Sequence, residues 1–377
     1  MKKSMAATGA AVVLAGLVGV GGGPASAAGA APCKPALTAL GTLTGAEVAW
    51  PKEGVRALGR GTLSVGSSRG RAVYWTGTAV HRVPVPDGAR VESELLEVNQ
   101  SGLMAGWYRP YGTTDQVVFT YRAGDAAVTE LPGAARSVAG LGVNDAGRVV
   151  SAGYGSGSVR VYADGVLERT LTVPEELGPD AYVAGLGGIN SRGDVVASVH
   201  RAEPDTGGRV EYSHPVLWPG DGGPARVLPQ AGQGGNYSWV TGVAADGTVV
   251  GSDWYGPGYE WTAWVWTAPY GPSGSSSPGR LSTHPYTSLD GISPSTRAAV
   301  GTARFHPEDA GVNAADQAVL WPGAGPVLAL PRLAAGKASA AVASADDDRV
   351  AGSAVNASGQ TRAVVWKCAS RQAYLPG

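Results

Sequence analysis

Short apolar strands alternate with polar turns along almost the whole chain, and the alternation itself repeats. The stretch GVNDAGRVVS at 142–151 returns as GINSRGDVVAS at 188–198 and as GVAADGTVVGS at 242–252. Apolar runs of this length, bounded by Asn, Asp and Gly, predict β-hairpins. Helical periodicity is almost absent beyond the first 27 residues, so the pattern predicts an all-β fold.

Each repeat carries an aromatic residue at the end of a short apolar strand. In chain order these residues are Trp75, Tyr121, Tyr162, Trp218, Trp266, Trp321 and Trp366. Their separations run from 41 to 56 residues, which is typical of β-propeller blades. We predict that these rings pack between neighbouring units and are not part of a binding site.

A recurrent turn precedes the apolar run of each unit. Its Asn and Gly occur as Asn99 with Gly102, Asn144 with Gly147, and Asn190 with Gly193, and one unit keeps Gly247 but has Ala244. An Asn side chain can bond back onto its own backbone, and Gly takes the left-handed conformation that closes the hairpin. The turn therefore marks where every unit reverses its chain.

These units predict a seven-bladed β-propeller, plus or minus one blade, with four short antiparallel strands in each blade. A four-stranded sheet with two apolar faces cannot bury both alone, so the units must stack, and stacked sheets close into a ring. Trp50 fits either of two strand roles, which leaves the blade count open by one. The predicted domain covers 28–377, in approximate units 43–88, 93–133, 134–180, 181–234, 235–285, 286–335 and 336–377.

The ends of the chain carry two further predictions. The stretch PALTALGTL, from Pro35, looks like a last strand without a unit before it, so we expect it to close the ring beside Trp366. Two cysteines, Cys33 and Cys368, lie near these ends, and in an exported protein such a pair favours a disulfide. A zinc site would need further ligands at close spacing.

The first 27 residues have the features of a signal peptide. Lys2 and Lys3 precede an apolar stretch at 6–20, and Ala25-Ser26-Ala27 fits a cleavage site. A membrane anchor is disfavoured because the stretch is shorter than the ~20 residues of a span. A lipoprotein anchor is disfavoured by Pro32 before Cys33. We predict an extracellular protein with no membrane insertion after processing.

The charge balance of the chain argues against two classes of binding partner. The chain has 29 Lys and Arg against 30 Asp and Glu, a net charge of −1, without a basic stripe. This argues against binding to nucleic acid or to anionic membrane surfaces.

Several motifs together point to a family. GINSRGDVVAS, AVLWPGAGPVLALPRL and LGTLTG resemble the HAF-type extracellular repeat family, with its I-N-x-x-G-x-V-V-G turn and its apolar strand ending in Trp. The resemblance covers essentially the whole chain after the signal peptide, and the units ending at Tyr121 and Tyr162 depart from it by having Tyr for Trp. It implies secretion and a repeat β fold, and it implies no activity and no catalytic residue.

Motifs of known chemistry fit poorly. GSSRG at 66–70 matches G-x-S-x-G, but a hydrolase elbow needs a strand before the Ser and a helix after it, and here both neighbours are predicted strands. RGD at 192–194 is part of a repeat turn. The five histidines, His81, His200, His214, His284 and His306, lack metal-ligand spacing. We therefore predict no catalytic residue, no metal and no cofactor.

The connection between the second and third strands is long in four units, and binding residues often lie on such loops. Two of these connections are rich in aromatic residues. The candidate ligand-binding residues are Trp107, Tyr108, Tyr111, Trp254, Tyr255, Tyr259 and Trp261. Such rings could stack on sugars or bind a protein partner, or they could simply cover the edges of the blades.

Three functions remain open. The favoured one is a secreted, monomeric, non-catalytic propeller that binds a glycan or an extracellular protein. The alternative is a carbohydrate-active propeller enzyme, a glycosidase or lyase, that uses the carboxylates of Glu203, Asp253, Glu260 and Glu308. A third is a structural protein of the cell envelope.

Overall fold

The computed structural model describes residues 33–45, 53–86, 92–133, 137–205, 208–230, 237–255, 260–305 and 315–376. The signal peptide predicted at 1–27, Trp50, Tyr259, His306 and Glu308 lie outside these residues. Residues Lys34–Gly377 form one compact unit. The described part is built from strands, with one short helix, α1 (Ala369–Gln372), and two 3-10 turns at Glu175–Leu177 and Pro272–Gly274. The all-β class predicted from the sequence is confirmed.

The strands group in antiparallel fours, which we number as sheets along the chain; the fourth and fifth groups are joined into one eight-stranded sheet by a parallel bridge between Ser213 and Tyr237. The first strand is β1 (Ala36–Ala39). Sheet 1 contains β2 (Gly54–Leu58), β3 (Leu63–Ser68), β4 (Arg71–Thr76) and β5 (Ala79–Arg82). Sheet 2 contains β6 (Ser93–Val98), β7 (Met104–Tyr108), β8 (Val117–Tyr121) and β9 (Thr129–Glu130). Sheet 3 contains β10 (Val138–Val143), β11 (Val149–Gly153), β12 (Ser158–Ala163) and β13 (Val166–Thr172).

The later strands follow the same plan. Sheet 4 contains β14 (Tyr182–Ile189), β15 (Val195–Asp205), β16 (Gly208–Trp218) and β17 (Arg226–Val227). Sheet 5 contains β18 (Tyr237–Val243), β19 (Val249–Tyr255), β20 (Glu260–Trp266) and β21 (Ser275–Ser276). Sheet 6 contains β22 (Tyr286–Ile292), β23 (Ala299–Arg304), β24 (Gln317–Trp321) and β25 (Leu328–Ala329). Sheet 7 contains β26 (Ser339–Ser344), β27 (Arg349–Val355) and β28 (Thr361–Lys367), with β1 as its fourth strand.

Sheet 7 joins the two ends of the chain. β1 pairs antiparallel with β28, with Ala36 opposite Lys367 and Ala39 opposite Val364. Cys33 and Cys368 are disulfide-bonded, as the sequence predicted. The first strand is thereby held in the last sheet by hydrogen bonds and by a covalent link.

Apolar side chains fill the spaces between neighbouring sheets. In the described residues, a separate buried cluster lies between each consecutive pair from sheet 1 to sheet 7. A further cluster joins sheet 7 to sheet 1, where Val55 and Trp75 pack with Ala351 and Val365. Each sheet therefore buries both of its faces against neighbours, which is how a small two-faced sheet becomes stable.

The repeated aromatic residues serve this packing. All seven are at most 9% exposed. Several also donate a hydrogen bond from the ring to the chain end of the preceding unit: Trp266 Nε1 to the Pro229 carbonyl at 2.7 Å, Trp366 Nε1 to Pro331 at 2.8 Å and Tyr162 OH to Pro132 at 2.8 Å. In these three units, the Pro that ends one unit thus supplies an acceptor for the next unit's aromatic ring.

The Asn of the recurrent turn has two tasks. Its Oδ1 accepts backbone N–H groups of its own turn, as Asn99 does from Ser101 at 3.0 Å and from Leu103 at 2.9 Å. Its Nδ2 donates to the next turn: Asn99 to the Asn144 carbonyl at 2.8 Å, Asn144 to Asn190 at 3.0 Å, and Asn190 to Ala244 at 2.9 Å. The Gly at the fourth position has positive φ, 80° at Gly102, as predicted.

Glycines in the inner strands allow neighbouring sheets to approach at the centre. A Cβ on Gly142 would lie 2.9 Å from Gly188 Cα, and one on Gly291 would lie 2.3 Å from the Val342 carbonyl oxygen. Real Cβ atoms do not approach backbone this closely, so a side chain at either position would push the inner strands apart.

Candidate functional site

A central cavity of about 710 Å³ is lined by the inner strands of all seven sheets, β2, β6, β10, β14, β18, β22 and β26. Its wall is built largely from Gly, Ala, Val and Leu. The polar residues that stand out on it are Arg56, Glu97, Thr241, Asp290, Arg304 and Ser344. The volume lies within the range of about 300–1,000 Å³ that is typical of ligand sites.

Charges of both signs face this cavity. Arg56 Nε lies 2.6 Å from Glu94 Oε1, and Glu94 is only 3% exposed. Asp290 accepts hydrogen bonds from Ser288 Oγ and Thr302 Oγ1, both at 3.2 Å. Burial raises the pKa of Asp290, and the charges of Arg304 and Arg56 oppose that shift. The wall of the cavity can therefore bind both positively and negatively charged groups.

Glu97 is a second acid on the cavity wall whose pKa is raised. The Glu97 side chain is only partly exposed, and its desolvation by the surrounding protein raises its pKa to about 8. A carboxyl in that state is mostly protonated at neutral pH and can donate a hydrogen bond. Glu97 thus adds a hydrogen-bond donor to the polar groups of the cavity wall.

The first group of predicted aromatic residues does not form the exposed surface that the sequence suggested. Trp107 and Tyr108 lie within β7, and each is 5% exposed. Tyr108 OH donates to Glu130 Oε1 at 2.5 Å, and its ring packs 6.2 Å from Phe119. Tyr111 is 69% exposed. Strand β7 runs further than predicted, so both rings are buried, and Tyr108 joins the core between sheets 1 and 2.

The second group is partly brought together. Trp254 and Trp261 are register partners in β19 and β20, and their rings stack at 6.4 Å with 21° between planes. Tyr255 lies at the end of β19, but its side chain, like Tyr259, lies outside what the structure describes. Whether these residues bind a ligand stays a prediction.

Of the four carboxylates considered for an enzyme, the structure describes the side chain of one, Asp253. Asp253 is 5% exposed, and burial raises its pKa to about 6. Its Oδ1 accepts a long hydrogen bond of 3.4 Å from Ser238 Oγ. The side chains of Glu203 and Glu260, and Glu308 as a whole, lie outside the described residues.

The other sequence motifs have structural roles. Ser68, at the centre of GSSRG, is fully buried in the β3–β4 hairpin and donates to Glu53 Oε2 at 3.0 Å. In the RGD turn, Arg192 Nη2 lies 2.6 Å from Asp194 Oδ2, and Asp194 is 7% exposed. Among the described residues there is no group of three or more His, Cys, Asp or Glu placed to hold a metal ion. No helix in the described part of the chain could span a membrane.

A cluster that the sequence did not reveal lies across sheets 4 and 5. The His200 ring centroid lies 5.5 Å from that of Tyr182, 5.7 Å from Tyr237 and 5.2 Å from Trp239. Tyr182 is the register partner of His200, as Tyr237 is of Trp254. The available signal was the aromatic residue that begins the inner strand in two successive units, in AYVAG and NYSWV.

Comparison with known proteins shows the fold. No protein-family model matches the chain, and no curated protein matches it. Among solved structures, the β-propeller domain of the Trilobed protease from Pyrococcus furiosus is similar, with a TM-score of 0.52 and 10% identity, over 83% of this chain and 95% of that one. A structure from a study of two prolyl endopeptidases has a TM-score of 0.58 and 14% identity, over 86% of this chain and 48% of that one. The tricorn protease has a TM-score of 0.52 and 13% identity, over 84% and 34%.

These likenesses define the class of protein as a β-propeller. The chain spans about half the length of the prolyl endopeptidase chain and about a third of the tricorn chain. The prediction of a non-catalytic binding scaffold is wrong, because the solved propellers that this fold resembles are those of peptidases. The repeats that led to it describe how sheets pack, and packing carries no information about chemistry.

Proposed function

We propose that the chain is a seven-bladed propeller closed as a ring by β1. Three observations support this: the seven groups of four strands, the pairing of β1 with β28, and the apolar cluster that joins sheet 7 to sheet 1. The Cys33–Cys368 disulfide would then fasten the closure.

Within that ring, we propose that the protein is the propeller part of a peptidase system, in which the central cavity admits an extended peptide. The catalytic groups would come from a second chain or from a longer form of this one, since the matched prolyl endopeptidase and tricorn chains extend well beyond the region that matches here. The observation that carries the proposal is the cavity of about 710 Å³ at the centre of all seven inner strands.

The cavity wall suits a peptide. Small residues along the inner strands leave room for a main chain, and Thr241, Asp290 and Glu97 offer polar partners to its amide groups. Arg56 and Arg304 add positive charge on the same wall. A folded domain would not fit in this volume, so the proposal predicts selection for unfolded segments.

The test compares peptide binding by the wild type with peptide binding by a variant whose cavity is filled by a large side chain. Fluorescence anisotropy with labelled unstructured peptides measures affinity for the wild type and for Ala340→Trp, which places an indole on the cavity wall. Val166→Trp is the matched control, because Val166 is 68% exposed on the outer strand of sheet 3. Thermal melts establish that both variants are folded.

We expect unstructured peptides to bind, Ala340→Trp to weaken binding at least tenfold, and Val166→Trp to leave it unchanged. Ser344→Trp gives a second filled cavity if Ala340→Trp does not fold. Failure of the wild type to bind any peptide, or equal binding by the filled variants, would overturn the proposal. Mass spectrometry of the same mixtures tests whether this chain alone also cleaves peptides.

We further propose that the protein is exported and belongs with the HAF-type repeat proteins. The disulfide supports export, since such bonds persist in oxidising compartments. Expression of the full chain in a bacterial host, followed by mass measurement of the exported product, tests the signal peptide. A product that begins at Ala28 supports it, and an unprocessed chain in the cytoplasm contradicts it.

A further inference from the structure

His200 lies at the centre of an aromatic cluster on the end of the sheets opposite the Asn turns. Its side chain is 6% exposed, and the rings of Tyr182, Tyr237 and Trp239 surround it at 5.2–5.7 Å. Its Nε2 is buried and has no hydrogen-bond partner within the described part of the chain. A buried polar atom without a partner costs free energy, so His200 lies in the cluster at a cost to the stability of the fold.

Glu211 supplies the negative charge of the cluster. Its Oε2 lies 3.6 Å from His200 Nδ1, and its Oε1 accepts a hydrogen bond of 3.1 Å from Tyr182 OH. A carboxylate favours the tautomer with hydrogen on Nδ1, which leaves Nε2 as an acceptor. Burial lowers the pKa of His200, with the charge of Glu211 opposing the shift, so the imidazole adds no positive charge.

Ligands can reach the cluster from solvent. The Glu211 side chain is 49% exposed, and Tyr154, whose ring lies 5.6 Å from Tyr182, is 54% exposed. Tyr237 stacks on Trp254 at 4.6 Å, which extends the surface into sheet 5. Burial raises the pKa of both Tyr182 and Tyr237, and the charge of Glu211 adds to each shift.

The groups that meet here share one property. The carboxylate of Glu211 accepts only, aromatic faces are the negative ends of ring quadrupoles, and the Tyr182 hydroxyl already donates to Glu211. An organic cation needs only what this cluster has, because ammonium and guanidinium groups bind aromatic faces and carboxylates together.

We propose that this aromatic cluster binds the cationic side chain of a peptide, Arg or Lys, against Glu211 and between the rings of Tyr182 and Tyr237. That the cation belongs to a peptide rests on the function proposed above. The preference of the site for a cation does not depend on that function. The site would select which segments present themselves to the propeller by recognising one basic residue.

The experiment compares peptides that differ at one residue. Labelled peptides carry either Arg or its neutral isostere citrulline, and either Lys or norleucine, and anisotropy gives the affinity of each. Glu211→Gln removes the charge and keeps the shape. Glu176→Gln is the matched control, because Glu176 is an exposed glutamate in the 3-10 turn Glu175–Leu177.

We expect the wild type and Glu176→Gln to prefer the Arg peptide by about tenfold, a ratio in keeping with a partly desolvated cation–π contact. Glu211→Gln should reduce that preference to about twofold, and Tyr182→Leu should reduce it further than Tyr182→Phe. The preference should also shrink at high salt, because Glu211 is half exposed.

The outcomes separate this inference from the function proposed above. Equal affinity for Arg and citrulline peptides overturns the cation site while leaving peptide binding intact. If no peptide binds, tetramethylammonium chloride is titrated into the protein while Trp fluorescence is followed. A saturable change in fluorescence that is lost in Glu211→Gln supports a site for small free cations. No change in fluorescence overturns the site. Binding of neutral oligosaccharides that Glu211→Gln does not weaken also overturns it.

Discussion

Replacement of Asn144 by Ala tests whether the recurrent turn couples one sheet to the next. Asn144 is 4% exposed; its Oδ1 accepts the Arg148 N–H at 3.0 Å, and its Nδ2 donates to the Asn190 carbonyl in sheet 4, also at 3.0 Å. The substitution removes both bonds and leaves both backbone partners without them. With a net loss of about 1 kcal/mol for each bond and about 1–2 kcal/mol more for buried groups left unpaired, we expect a destabilisation of about 2–4 kcal/mol.

The matched control is Asn356→Ala in the turn between β27 and β28. Asn356 Oδ1 accepts the Gln360 N–H at 2.9 Å and the Ser358 hydroxyl at 2.8 Å, and these bonds stay within one exposed turn. Water can replace them, so we expect a loss of about 0.5–1 kcal/mol. The difference between the two variants measures the contribution of the cross-sheet bond and its burial.

Urea unfolding, followed by Trp fluorescence and by far-UV circular dichroism with the disulfide intact, is the assay. With a slope of about 3 kcal/mol per M, Asn144→Ala should lower the midpoint by about 1 M. The two probes must coincide for the free energies to be compared. Asn144→Asp adds a second test, since it keeps the turn acceptor but places another acceptor opposite the Asn190 carbonyl. Equal midpoints for Asn144→Ala and Asn356→Ala would refute the coupling role.

Three further predictions concern the closure, the packing and the cavity. Reduction of the Cys33–Cys368 disulfide should destabilise the fold by about 2–5 kcal/mol, measured as the fall in urea midpoint with dithiothreitol, and an unchanged midpoint would contradict it. Trp266→Phe loses the 2.7 Å bond to the Pro229 carbonyl as well as packing in a fully buried site, and should cost about 2–4 kcal/mol by the same assay. The pKa of Glu97 is raised to about 8 from an ordinary 4.5, so between these values the folded chain holds a proton that the unfolded chain has lost, and stability falls as pH rises. Glu97→Gln should flatten that fall, and an identical pH profile for wild type and variant would contradict the shift.

The fold was predictable because its signals are local. The Asn–Gly turn, the aromatic residue that ends the third strand and the alternating apolar strands each lie within about ten residues. Packing then leaves a small two-faced sheet few alternatives. The sequence did not show that the turn Asn also donates to the next sheet, because that bond joins residues 45 or 46 apart.

The candidate site was less predictable because it depends on register between units. Trp107 and Tyr108 stand beside Arg109 and Pro110 in the sequence, which suggests a loop, yet pairing with β6 and β8 continues through Tyr108 and buries both rings. His200 looked isolated among scattered histidines. Only the pairing of Tyr182 with His200, and the single bridge from Ser213 to Tyr237 between sheets 4 and 5, bring its neighbours around it.

The two ends of the sheets differ in what constrains them. At one end, the turns of Asn99, Asn144 and Asn190 each bond the next turn along the chain, which constrains their length. At the other end the second-to-third strand connections differ in length, and there the β15–β16 hairpin extends to Asp205 and Gly208 and touches sheet 5 through Ser213. Binding residues usually lie on variable connections that a rigid scaffold holds in place. The same reasoning places new specificity at the hairpin end, so substitutions around His200 should change what is bound with less effect on stability than substitutions in the Asn turns.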